Sequence, residues 1–200
     1  MPKIVNKSEK REKLVQAAIP VFAKHGFRET KMSDIAIKAD VGKGTLYEYF
    51  DSKDELFLNT FKVWFSYFTE QMQDIVSREK NPHKQLLVFF QQLFATIEQY
   101  GVTYFIFFDF WSELTRNPLL NKQEIVNVYQ SLRELFSSAL EEGVELKVFK
   151  PIDCMAAGAT LLAISDGLLV QWLIDESAFS IEEVGVSSIK SYLDSIIYTP

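Results

Sequence analysis

The chain is predicted to be all-α, and three observations carry that expectation. Apolar residues recur at intervals of three and four along almost its whole length. The pattern is interrupted by single glycines and by cap residues rather than by long polar tracts. No stretch alternates convincingly in the manner of a half-buried strand. About nine helices fit the pattern. With 48% apolar and 24% charged residues in 200, the chain can build a substantial core, and wholesale disorder is excluded.

The first helix opens at Ser8 as N-cap and carries Leu14, Ala17, Ala18, Val21 and Phe22 on one face. Gly26 supplies its stop, and Phe27 packs back beneath it. A second helix is expected over Met32 to Ala39, with Ile35 and Ala36 inward, and a third over Lys43 to Phe50, burying Leu46 and Phe50. Ser52 and Glu55 have capping-box spacing and open a fourth helix that reaches about Arg78. Asn81-Pro82 starts the fifth, whose stripe of Leu86, Phe89, Phe90, Leu93, Ile97 and Tyr100 runs to Gly101. Residues 103–115 are apolar nearly all round. A buried strand competes there, because aromatic residues favour strands, but helical neighbours on both sides favour a sixth helix. Ile125, Val128, Leu132, Leu135, Phe136 and Ala139 mark the seventh, ended by Gly143. Residues 152–175 and 181–198 form the last two, the final one opened by Ser180 and Glu183.

One cysteine, Cys154, rules out an internal disulfide and leaves no cysteine framework for structural zinc. His25 and His83 have no further ligands at helical spacing, so no metal and no cofactor are expected. The N-terminal segment lacks the apolar run of a secretory signal. Apolar runs such as Tyr104 to Phe108 fall short of the roughly 18 residues of a membrane span. The expectation is a soluble cytoplasmic protein without a membrane partner. The net charge of −6 is divided unevenly: residues 1–60 hold 11 Lys/Arg against 9 Asp/Glu, net +2, and the remainder holds 10 against 18, net −8. An acidic body with a mildly basic end fits a local DNA-binding module, and equally a solvated helix start.

The informative stretch is DVGKGTLYEYFDSKDEL, residues 40–56. Two short helices joined by Ala39-Asp40-Val41-Gly42 have the dimensions of a helix-turn-helix, about residues 31–50. Asp40 stands where the turn needs a left-handed residue, and Val41 can plug between the helices. Gly42 and Gly44 permit close approach of backbone at a helix start that favours phosphate, and Lys43 adds a charge for it. Thr45 can offer hydroxyl or methyl to a base edge. Tyr47 and Tyr49 can reach flanking phosphates, and Lys53 lies at the start of the fourth helix beside them.

On these residues the segment Gly26 to Leu56 resembles the DNA-binding module of the TetR family of bacterial transcriptional regulators. Thr30, Asp34-Ile35-Ala36, Val41, Lys43-Gly44, Leu46-Tyr47, Tyr49-Phe50 and Ser52-Lys53 fall at that family's spacing. Asp40 stands where the family usually has Gly, and Gly42 where it often has Ser. The resemblance implies a DNA-contacting set of Thr30, Lys31, Met32, Gly42, Lys43, Gly44, Thr45, Tyr47, Tyr49 and Lys53. It implies a DNA-binding domain over 1–52 and an effector-binding and dimerisation domain over 53–200. It further implies a homodimer on a palindromic operator, usually repressing double-stranded DNA targets and released by a small effector, with no catalytic residues.

Seventeen phenylalanines exceed what one core readily absorbs. A hydrophobic or aromatic effector pocket lined by Phe65, Phe68, Phe90, Phe94, Tyr104, Phe107, Phe108 and Trp111 could use the surplus, although each ring singly is better explained by packing. Asp109 and Glu113, four apart, could greet a cationic ligand or sit at a solvated edge. The C-terminal stripes suit an isologous dimer seam through Ala159, Leu162, Leu169, Trp172, Ile189, Tyr192 and Ile196. A dimeric DNA-binding protein without an effector is the alternative. A helical enzyme or carrier for a hydrophobic ligand is a weaker one, since no nucleophile, metal or acid-base constellation is present.

Overall fold

The computed structural model describes the backbone of residues 7–116 and 122–199. Side chains are described except at 64–65, 67–69, 71–73, 75–77, 100–116, 122 and 124–125. Eight helices lie in the described part: α1 (Lys7–Glu29), α2 (Met32–Lys38), α3 (Lys43–Tyr47), α4 (Lys53–Arg78), α5 (Pro82–Arg116), α6 (Lys122–Glu145), α7 (Cys154–Ile174) and α8 (Ile181–Ser195). The all-α expectation holds, and the count falls by one. Pro82–Arg116 form a single helix that passes through Gly101. A glycine costs a helix only about 1 kcal/mol relative to alanine, so it ends one only where the following residues take another conformation.

Gly143 shows the same effect, for α6 continues past it to Glu145. The stop comes later, from Lys147 at φ 57°. Val148 N–H donates to the carbonyl of Gly143 at 2.8 Å and Lys147 N–H to that of Val144 at 3.1 Å, the two bonds of a Schellman closure. Gly143 is required for another reason: a β-carbon there would stand 2.2 Å from the Phe149 ring. α1 begins at Lys7, one residue ahead of the expected cap at Ser8. Gly26, at φ 70° and ψ 169°, breaks its helical geometry as expected.

The chain divides into two compact units. The first comprises Met1–Thr69 and Val102–Leu120, so the expected boundary at residues 52/53 falls inside it. Its core is built from Leu14, Ala18 and Phe22 of α1, Ile35 of α2, Leu46 and Phe50 around α3, and Leu56 and Phe57 of α4, all buried. The Phe57 ring meets Phe22 at 4.8 Å and Phe27 at 4.7 Å, which places Phe27 back under α1 as expected.

The second unit comprises Glu70–Gly101 and Asn121–Pro200. Asn81 caps α5 by accepting from Lys84 N–H at 3.1 Å, and Ser180 caps α8 by accepting from Glu183 N–H at 3.1 Å. Phe89, Phe90 and Phe136 cluster at centroid distances of 4.8 to 5.4 Å. Phe94 lies under Gly185 of α8. Phe90 and Phe94, expected in an effector pocket, are thus fully buried packing residues. Phe65, Phe68, Tyr104, Phe107, Phe108 and Trp111 of that expectation, with Asp109 and Glu113, lie outside the described side chains.

α7 is apolar on more than one side. By length and a mean hydropathy of 1.5 over an 18-residue window it would pass for a membrane span, and the apolar runs noted in the sequence missed it. The stripe expected at a dimer seam faces inward instead: Leu162 and Trp172 on α7, Ile189 on α8 and Ile196 just beyond it are buried within one chain. Ala159, Leu169 and Tyr192 of the same set are partly exposed. The exposed large apolar side chains of these helices are Met155, Val170, Ile174 and Val184. An amphipathic stripe marks the face that covers a helix's own core first, and only an additional apolar side can serve a partner.

Candidate nucleic-acid interface

α1, α2 and α3 present the segment singled out in the sequence. The start of α2 is held by Asp34, whose carboxylate accepts from Lys31 N–H at 3.1 Å. Its end is a second Schellman closure. Asp40 takes φ 51°, the left-handed conformation expected of it. Val41 N–H donates to Ala36 O at 3.0 Å and Asp40 N–H to Ile37 O at 3.2 Å. This reversal aims α3 away from α2. Val41 is half-buried.

Gly42 is the N-cap of α3 at φ −68°, with no side chain to offer as a cap. α3 itself spans five residues, shorter than expected, with Phe50 N–H donating to Leu46 O at 2.9 Å after its end. Leu46 and Phe50 anchor it. Lys31, Gly42, Lys43, Gly44 and Tyr47 are exposed, and Thr45 and Tyr49 are half-buried. The Lys43 ammonium lies 5.8 Å from the Tyr47 ring centroid.

Neither Gly42 nor Gly44 takes a positive φ. A β-carbon on Gly44 would meet nothing within 4 Å, and one on Gly42 only Thr45 Oγ1 at 4.0 Å. Nothing among the described residues needs these glycines, and at Gly44 the helix would be stabler with alanine.

Three residues of the expected set are placed differently. Thr30 is buried, and its hydroxyl donates to Gly26 O at 2.6 Å, closing the end of α1. Met32 is a core residue. Lys53 turns toward the backbone of residues 27–30 instead of outward. Sequence reasoning missed Arg11, which donates to Asn59 Oδ1 at 2.7 Å and Glu55 Oε1 at 2.8 Å and stacks 4.6 Å over Phe50. Its hydrogen-bonding partners are more than 40 residues away, so no local pattern could reveal it.

Elsewhere the chemistry is quiet. Burial, then Glu141 and Asp153, push the Cys154 thiol above its ordinary range, which disfavours the thiolate. No group of three His, Cys, Asp or Glu side chains that could hold a metal occurs among the described residues. An open groove of about 1120 Å³ between α5 and α8 is lined by Val88, Glu98, Glu182, Glu183 and Lys190 among others, and by no aromatic residue.

A three-helix head presenting cations, glycines and a tyrosine on one exposed face is a helix-turn-helix DNA-binding module. Residues 14–60 match the model for bacterial regulatory proteins of the tetR family, and residues 82–197 match that for the C-terminal part of BetI-type transcriptional repressors. The chain belongs to the tetR family and is a DNA-binding transcriptional repressor. The HTH-type transcriptional repressor KstR2 of Mycobacterium tuberculosis is 29% identical over 144 residues, covering 72% of this chain and 71% of its own. A TetR transcription regulator from Haloarcula marismortui shares the fold at TM-score 0.87 with 17% identity, over 95% of this chain and 99% of that one. FadR from Bacillus subtilis, solved in complex with stearoyl-CoA, does so at TM-score 0.80 with 20% identity, over 92% and 98%.

Proposed function

We infer that the chain represses transcription as a homodimer on a palindromic operator and leaves DNA when a small hydrophobic effector binds. The observation that carries the DNA contact is the pair of exposed glycines. Helix α3 accepts the cost of Gly44 although the chain has room for a side chain there. A phosphate backbone approaching the start of α3 supplies the missing reason. Lys43 then balances a phosphate charge, Thr45 meets a base edge, and Tyr47 and Tyr49 flank them. Lys31 stands exposed beside the same face.

Dimerisation is supported by the apolar side chains that α7 and α8 leave uncovered, namely Met155, Val170, Ile174 and Val184. The effector class is supported by the phenylalanine surplus and by the stearoyl-CoA held by a protein of the same fold. Release requires that effector bind the geometry unable to hold DNA more tightly than the other, since equal affinity shifts nothing.

Gly44→Ala tests the contact. The variant is expected to be as stable as the parent or stabler by up to about 1 kcal/mol. Its affinity for the DNA fragment selected from genomic DNA by the parent protein is expected to fall by about tenfold or more. Unchanged affinity in a gel-shift titration would remove the backbone-approach reading.

A further inference from the structure

Gly44 and Glu48 stand one helical turn apart, with Glu48 N–H donating to Gly44 O at 3.1 Å. Glu48 is the C-cap of α3 and keeps helical geometry, at φ −72° and ψ −19°. Each is two positions from Leu46, and so about 160° around the helix from it. Leu46 is fully buried, which puts these two residues at the middle of the outward face. Gly44 leaves that middle bare, for a β-carbon there would meet nothing within 4 Å among the described residues. A helical side chain leans toward the N-terminus and covers the turn before its own Cα. The exposed Glu48 side chain therefore leads over the gap at Gly44.

No local requirement explains a glutamate at this position. A carboxylate at the C-terminal end of a helix opposes the helix dipole. Other acids of the same head are employed within the chain. Asp34 accepts from Lys31 N–H, and Glu55 accepts from Arg11 and from Asp51 N–H. The Glu48 carboxylate has no such partner among the described residues. Toward DNA it is costlier still, because every phosphate repels it. A residue that offends both the helix and the general attraction to DNA points to a specific contact.

We propose that Glu48 is a specificity-determining residue that reads a cytosine in the major groove, its carboxylate accepting a hydrogen bond from the 4-amino group. The proposal rests on the DNA-binding reading above. A carboxylate can accept but not donate. Guanine shows it two acceptors, thymine one, and adenine an acceptor beside its donor. Cytosine alone presents a donor with no acceptor on its own edge. The bare position at Gly44 lets the backbone of α3 sit close enough for the carboxylate to reach that edge. Any other base there leaves the carboxylate desolvated against an acceptor, so Glu48 excludes as well as attracts.

The test uses the full-length protein and a library of duplexes with a randomised centre, sequenced after rounds of selection. The parent is expected to enrich a motif with an invariant cytosine in each half-site. Glu48→Ala is expected to keep the rest of the motif and to accept all four bases at that one position. Glu48→Gln is expected to move the preference there to adenine, whose N6 and N7 a carboxamide pairs with. Because Glu48 is exposed, both variants are expected to melt with the parent. A selected duplex is then remade with 2-pyrimidinone, which lacks the 4-amino group, in place of that cytosine. The parent is expected to lose affinity for it by about tenfold, the cost of one mismatched position, and Glu48→Ala to bind both duplexes equally.

A motif unchanged in Glu48→Ala would overturn the proposal. That holds also if affinity rose on every duplex alike, which is what a carboxylate that merely repels phosphate would produce. An equal loss on the pyrimidinone duplex in the parent and in Glu48→Ala would overturn it as well. A parent protein that enriches no sequence and binds no duplex would instead sink the DNA-binding reading, and the proposal with it.

Discussion

The ring of Phe94 occupies the space that a side chain on Gly185 would need, with Cδ2 2.6 Å from the ideal β-carbon position. Both groups are buried, and Gly185 lies in the middle of α8. The glycine lets α8 descend onto α5 and onto the cluster that continues through Phe90 to Phe136. Gly185→Ala is expected to cost about 1–3 kcal/mol, the usual range for overpacking a tight core. Urea unfolding measures it, and a loss below about 0.5 kcal/mol would show that the ring moves aside freely.

Gly167 makes the opposite case on α7. A β-carbon there would meet nothing within 4 Å among the described residues. If α7 packs on a partner subunit through that side, Gly167→Ala leaves the subunit folded and weakens the dimer. Val170→Glu, on an exposed position, is expected to yield a folded monomer by light scattering. Trp172→Glu, buried in the subunit, is expected to lose the fold. A Val170→Glu protein that remained dimeric at micromolar concentration would move the seam elsewhere.

Asp40 holds its left-handed turn at some cost, since only glycine takes that conformation freely. Asp40→Gly is expected to raise stability by about 1 kcal/mol and to leave the α2–α3 geometry intact. A lower melting temperature would mean that the carboxylate makes a compensating contact.

Asp166 gives a pH dependence with a definite sign. Burial raises its carboxyl above the ordinary range, and the Tyr129 hydroxyl, 3.3 Å away, opposes this only in part. Between the unfolded and the raised folded value the native state holds more protons than the unfolded state. Stability therefore falls as pH rises through that window, and the full penalty remains above it. Asp166→Asn is expected to stabilise the protein at neutral pH, with the gain vanishing well below the usual carboxylate range. Melting temperatures across an acid-to-neutral series check this, and a gain that is the same at every pH would refute the burial argument.

Much of the architecture is written locally. Ser52, Asn81 and Ser180 each accept from an amide three residues on, so their helix starts were legible without knowing any neighbour. Glu55 shows the limit of such rules, since its carboxylate reaches Asp51 N–H rather than closing the reciprocal bond to Ser52. The exposed cluster from Gly42 to Tyr47 was legible for a different reason. Glycines and a lysine at the start of a helix disobey helix propensity, and a local conflict of that kind points outside the chain.

The sequence by itself determined the helical class, most helix starts, the left-handed turn at Asp40 and the character of the DNA-facing segment. All of these depend on residues within about four positions of one another. Tertiary structure decided that Gly101 and Gly143 lie inside helices, that Phe90 and Phe94 are core, and that Leu162, Trp172 and Ile189 face inward. It also decided that Lys53 spends its charge on backbone more than 20 residues away. An apolar stripe records that a face must be covered, and a cation that its charge must be met. Which surface or oxygen does so is set by packing between distant segments, and local spacing carries no record of that choice.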